Sequence, residues 1–146
     1  MATILGISTS HDGTLSVLKD GRHIYSIAEE RLSRIKGHIG FPFLALEHVV
    51  ARGIVDPADV SLIAIAQASF HGGSNRTLDF EYTRDKLYYD LQNEDPPPGF
   101  RIEKRLFSGL TSGRAVAERL KTVVRDIAAP LGIDAPVALL DHHACH

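Results

Sequence analysis

The chain has 146 residues, 44% of them hydrophobic and 23% charged, and a formal net charge of −2. That is the size and composition of one α/β domain with a packed core, and its charge gives no general case for nucleic acid or an anionic membrane surface. The single cysteine, Cys145, excludes an internal disulfide and fits a reducing cytoplasm, the opening MATILGISTS lacks the regions of a secretory signal, and no apolar run reaches membrane-spanning length.

In chain order, TILGIST (3–9) is a β-branched apolar run that reads as a buried strand. SHDGT (10–14) reads as a turn centred on Asp12-Gly13, a strong hairpin dipeptide. LSVLKD (15–20) is a second strand, Asp20-Gly21 a second tight turn, and RHIYSIAEE (22–30) a third strand. RLSRIKGHIG (31–40) is basic and irregular. FPFLALEHVVARG (41–53) reads as a helix with Pro42 in its first turn, a stripe of Phe43, Leu46, Val49 and Val50, and Gly53 at its end. VSLIAIA (60–66) is a continuous apolar strand, expected to be covered on both faces.

The stretch 67–110 carries a weaker pattern, with a helix expected over 82–92 and a proline-rich loop at 93–99. SGRAVAERLKTVVRDIAAPLG (112–132) is the clearest helix, striped by Val116, Leu120, Val123, Val124 and Ile127. APVALLD (135–141) reads as a last buried strand, and HHACH follows it. A three-strand antiparallel meander thus runs into parallel strands with crossover helices. This plan resembles an RNase-H-like lobe, the repeating half of the actin-like ATPase superfamily. Open α/β sheets bind ligands beyond the carboxyl ends of their strands, and both SHDGT and DHHACH are expected at such ends.

Three stretches could carry chemistry. In DHHACH, His142 and His146 are four apart, so a helix there would put both rings on one face, a spacing suited to two ligands of one metal ion. Asp141 could orient a ligand imidazole. The competing reading is a solvated, histidine-rich segment. In GISTSHDGT (6–14), His11 is a candidate general acid or base, because an imidazole titrates near neutral pH. Spacing alone favours an ordinary Asp-Gly hairpin with an exposed histidine. In AEERLSRIKG (28–37), Arg34 and Lys36 could hold a phosphate or carboxylate, and spacing alone favours a solvated charge run. Cys145 reads as a bystander or a small packed residue, and His23, His38, His48 and His71 as surface or packing residues.

Together, GISTSHDGT, the Asp20-Gly21 turn, AEERLSRIK, GFP at 40–42 and DHHACH resemble the carbamoyltransferase family of antibiotic and nodulation-factor biosynthesis. This is the nodulation-protein-U and cephalosporin-carbamoyltransferase type. The resemblance spans 4–66 and 112–146. It implies an enzyme whose YrdC-like domain makes carbamoyl-adenylate from carbamoyl phosphate and ATP. A two-lobed N-terminal domain then moves the carbamoyl group to a hydroxyl of a small-molecule natural product. Carried over by position, it implies His142 and His146 as ligands of a divalent metal, iron first, with zinc or manganese as alternatives. It makes His11 the base at the acceptor hydroxyl, and Lys36, with Asp12 and Arg34, contacts to the adenylate.

On this reading, residues 1–146 are the first lobe alone, and a second lobe and the adenylating domain lie outside the chain. The expected partners are the hydroxyl acceptor and the missing lobe or a partner chain, with an oligomer possible and neither nucleic acid nor membrane involved. Other classes remain open: a metal-binding lobe of a split enzyme, an inactive remnant, and, more weakly, a metal-dependent hydrolase.

Overall fold

The computed structural model describes residues 2–9, 12–38, 40–67 and 113–141. They form strands β1 (Thr3–Ser8), β2 (Thr14–Lys19), β3 (Arg22–Ala28), β4 (Val60–Gln67) and β5 (Val137–Asp141). The helices are α1 (Glu30–Ser33), α2 (Phe43–Ala51) and α3 (Gly113–Ala128), with 3-10 turns at Pro57–Asp59 and Ala129–Leu131. The helix expected over 82–92 and the loop at 93–99 lie outside the described residues. Among the described residues no helix is long and apolar enough to cross a membrane.

One five-stranded sheet runs in the order β3-β2-β1-β4-β5. β1 pairs antiparallel with β2, and β2 with β3, while β1–β4 and β4–β5 are parallel. The antiparallel meander running into parallel strands is thus as the sequence pattern has it. Alternation decides which face is inside. Leu5, Ile7, Leu15, Val17, Ile63, Ile65 and Val137 bury one face against Ala45, Leu46 and Val49 of α2 and Leu120, Val124 and Ala128 of α3. Each large side chain removed from water contributes about 1.5–3 kcal/mol. The opposite face carries a register row of small residues, Ser26, Ser16, Gly6, Ala64 and Ala138. β4 is therefore sided: Ile63 and Ile65 are buried, whereas Leu62, Ala64 and Ala66 are only half-buried.

Several boundaries shift for identifiable reasons. β3 stops at Ala28 because Glu29 turns into helical conformation, opening α1 inside the segment read as irregular. α2 ends in a full Schellman arrangement around Gly53: the Gly53 and Ile54 amides donate to the carbonyls of Val50 and Val49 (2.9 and 3.0 Å). α3 ends at Ala128 rather than 132, because Pro130 cannot donate the next helical hydrogen bond. β5 is not fully buried, since Leu140 is 45% exposed.

The two Asp-Gly pairs do different jobs. Lys19 pairs with Arg22 around Asp20 and Gly21, whose φ values of 50° and 77° make a two-residue type I′ turn. Asp12-Gly13 instead ends a longer connection, residues 9–13, between the paired Ser8 and Thr14. Further along the β2–β3 ladder the register shifts between Val17 and Leu18, so Ile24 is left over as a bulge.

No atom lies within 4 Å of where a Gly21 Cβ would stand, so only backbone strain opposes a side chain there. Gly21→Ala should lower stability by about 1–2 kcal/mol in thermal denaturation, and Gly21→Asn by less, since asparagine tolerates this region. Equal effects would show that the turn is not held left-handed.

Candidate functional site at one edge of the sheet

The register places four segments at one edge. Ala28 pairs with Thr14, Thr14 with Ser8, Ser8 with Ala66, and Ala66 with Leu140. This row crosses all five strands. Beyond it lie the 9–13 connection, the turn after β3, the end of β4 at Gln67 and the end of β5 at Asp141, which pairs with Gln67. Ser8 and Leu140 are two strands apart, about 10 Å. The stretches containing GISTSHDGT, AEERLSRIK and the start of DHHACH, distant in sequence, therefore converge. His11, His142, His146, His143 and Cys145 themselves lie outside the described residues.

Glu29 organises the edge. It is 1% exposed, and its carboxylate accepts from the first amides of α2, Leu44 N–H (2.9 Å) and Ala45 N–H (2.8 Å). A carboxylate at a helix N-terminus satisfies otherwise orphaned donors and meets the positive end of the helix dipole. The Glu29 backbone N–H donates to the Gly13 carbonyl (2.7 Å), and its carbonyl accepts from Leu32 and Ser33 of α1. One residue thus joins the connection after β1, α1 and α2. Burial pushes its carboxyl above the ordinary value; the Leu44 and Ala45 amides pull the other way, and the Glu47 charge adds to the rise. Because Glu29 takes the two α2 amides, that helix end is not the site for a phosphate.

A second set of contacts locks Gly13. Its N–H donates to the His38 carbonyl (2.8 Å), and a Cβ on it would stand 2.6 Å from the Gly40 carbonyl oxygen. Close backbone approach, rather than a turn angle, requires glycine here. His38 is 5% exposed, and its Nδ1 bonds Ser33 Oγ at 2.9 Å. Burial lowers its pKa from the ordinary 6.5, so the neutral ring is favoured.

Of the residues proposed to hold an adenylate, Asp12, Arg34 and Lys36 are all exposed at this edge. Asp12 is left-handed (φ 58°), and its carbonyl accepts from Thr14 Oγ1 at 2.6 Å. Its Oδ1 lies 3.9 Å from where a Gly37 Cβ would be, which puts its carboxylate beside the neighbour of Lys36. Arg34, also left-handed (φ 64°), closes α1 by donating its N–H to the Glu30 carbonyl (3.0 Å). Among the described residues neither Arg34 nor Lys36 makes an ion pair, which leaves two cations open to an anion. Among the described residues no group of three or more His, Cys, Asp or Glu side chains could hold a metal.

The charge-run reading of AEERLSRIKG missed Glu29. The signal is alternation: Tyr25, Ile27 and Glu29 share the inward phase of β3. Of the unpartnered histidines, His38 proves to be part of the edge. His48 packs elsewhere, stacked on Tyr25 with its Nε2 3.2 Å from the phenol oxygen.

In open α/β sheets, ligands bind in the crevice beyond the carboxyl ends of the strands, which is where these polar loops converge. The family model for the carbamoyltransferase N-terminus matches residues 3–146, and the chain belongs to that family. No curated protein matches the sequence. Among solved structures, the chain is similar to YeaZ from Pseudomonas aeruginosa at 17% identity and a TM-score of 0.40, covering 97% of this chain. It is also similar to "an uncharacterized protein with similarity to peptidase YEAZ from Pseudomonas aeruginosa", at 14% identity, a TM-score of 0.39 and 95% coverage. The chain spans 44% of the length of each.

Two outcomes test this geometry. Gly13→Ala should destabilise the fold by about 1–3 kcal/mol through its clash with Gly40, measured by chemical denaturation. Because the folded pKa of His38 is depressed, its stabilisation is complete above pH 6.5 and is lost as pH falls through the folded value. His38→Asn, which never charges, should flatten the fall in thermal midpoint below pH 6.5; an unchanged slope would mean that His38 is not held neutral.

Proposed function

We propose that this chain is the first, RNase-H-like lobe of an O-carbamoyltransferase, with a second lobe and a YrdC-like adenylating domain elsewhere in a longer cytoplasmic protein. The carrying observation is the register row Ala28–Thr14–Ser8–Ala66–Leu140, which brings three motif-bearing segments to one edge of a chain that belongs to the carbamoyltransferase N-terminus family. The donor is carbamoyl-adenylate, formed from carbamoyl phosphate and ATP, and the acceptor is a hydroxyl of a small-molecule natural product.

In this reading His11 takes the proton of the acceptor hydroxyl as its oxygen attacks the carbamoyl carbon. The bond from that carbon to the phosphate oxygen breaks, and AMP leaves with the electron pair. Arg34 and Lys36, which make no ion pair among the described residues, hold the adenylate phosphate and stabilise the charge that grows on it. Asp12 accepts from a donor or acceptor hydroxyl. Two imidazoles four apart, directly after Asp141, are a donor set that suits a divalent transition metal, iron before zinc or manganese. His142 and His146 would hold it, with further ligands from outside the chain, and when bound it would polarise the carbamoyl carbonyl.

In the intact enzyme, His11→Ala should lower carbamoyl transfer by about 10²–10⁴-fold and leave carbamoyl-adenylate formation unchanged. Transfer at the parent rate would remove His11 from the role of base.

A further inference from the structure

The turn carrying Lys36 is held from both sides by α1. On one side, Ile35 N–H donates to Ser33 Oγ (3.3 Å). On the other, Gly37 N–H donates to Glu30 Oε2 (3.0 Å). His38, next along, bonds Ser33 Oγ through its ring, and its carbonyl accepts from Gly13. The lysine backbone is therefore fixed while its side chain stays exposed and without an ion pair among the described residues.

Glu30 is the charged member of this set. Its side chain is 24% exposed. While Oε2 holds Gly37, Oε1 lies 3.6 Å from Arg31 Nε, so the carboxylate is engaged on both sides and does not neutralise Lys36. A hydrogen bond from an amide to an ionised carboxylate is about twice as strong as a neutral one. The turn it orders also meets Asp12, whose Oδ1 stands beside Gly37.

We propose that Glu30 is a positioning residue: by clamping the Gly37 amide it sets Lys36 toward the anionic donor without contacting the donor itself. This rests on the reading of Lys36 as a donor contact. Its sequence neighbour Glu29 serves the fold through α2, so the adjacent glutamates divide the work between architecture and site.

The test measures binding of a hydrolysis-resistant sulfamoyl analogue of carbamoyl-adenylate to the intact enzyme by calorimetry. Glu30→Ala should weaken binding about tenfold, the equivalent of one charge-assisted hydrogen bond. Glu30→Gln, which keeps an oxygen for Gly37 N–H, should restore most of the affinity, with thermal midpoints little changed in both variants. Added to Lys36→Ala, Glu30→Ala should produce no further loss, because it acts through Lys36. Full additivity, or wild-type affinity in Glu30→Ala alongside weak binding by Lys36→Ala, overturns the positioning role. Wild-type affinity in Lys36→Ala overturns the donor-contact reading beneath it, and the positioning role with it.

Discussion

A buried carboxylate on two helix amides holds this site together. Glu29 sits where the chain would otherwise continue as a strand, and leaving that strand is what allows its side chain to reach α2. Removing a carboxylate from water is unfavourable, and the rise in its pKa is the trace of that penalty. The penalty is offset because the same residue closes three structural accounts: the helix start, the α1 turn and the connection that ends at Gly13. Without it, the buried Ala45 amide and the part-buried Leu44 amide would lose their acceptor, and the segments on either side of the edge would no longer be referenced to each other.

From that point the edge is built by backbone more than by side chains. Gly13 against His38 and Gly40, and Gly37 against Glu30, are close main-chain contacts that leave little freedom. The side chains with chemistry to offer, Asp12, Arg34 and Lys36, project from this rigid frame into solvent. Two of them stand on left-handed backbone, which costs about 1 kcal/mol or more for a residue with a Cβ. Such conformations persist when surrounding contacts over-determine them, here the α1 closure and the Thr14 hydroxyl. The charged side chains are thus exposed while the backbone beneath them is held by close main-chain contacts.

Much of the architecture was legible because hydrophobic patterning is a direct physical signal. β1, β2 and β4 stand out as short β-branched apolar runs, the stripes of α2 and α3 follow from the 3.6-residue helical period, and the Asp20-Gly21 turn from its demand for two left-handed residues. The end of β3 was not legible: alternation marks Glu29 as inward-facing, but nothing local to AEERLS says that its carboxylate will meet amide donors on a helix fifteen residues away. Leu44 and Ala45 become donors only once α2 has formed. The end of α3 was obscured by a stripe that remains periodic through Pro130, where a missing donor overrides it. At the site, the placing of SHDGT and DHHACH at the carboxyl ends of strands was readable from the order of elements, whereas the packing of the 33–38 segment against Gly13 was not, since it depends on individual backbone contacts. His38 was undervalued for the same reason: its main use is its carbonyl, and sequence patterns carry no information on which carbonyl meets which amide.

The bulge at Ile24 has a bearing on how the molecule behaves in a crowded solution. Among the described residues β3 is an outer strand, and Ile24 is 47% exposed. A straight outer strand with an exposed isoleucine is a template onto which another chain can zip, amide by amide. The extra residue breaks the spacing of those amides and bends the strand away from a flat approach. The irregularity that looks like a fault in the ladder therefore works as a guard against edge-to-edge aggregation. It lies near the hairpin turn at Asp20-Gly21, so this guard and the edge organised by Glu29 occupy opposite ends of the same strand.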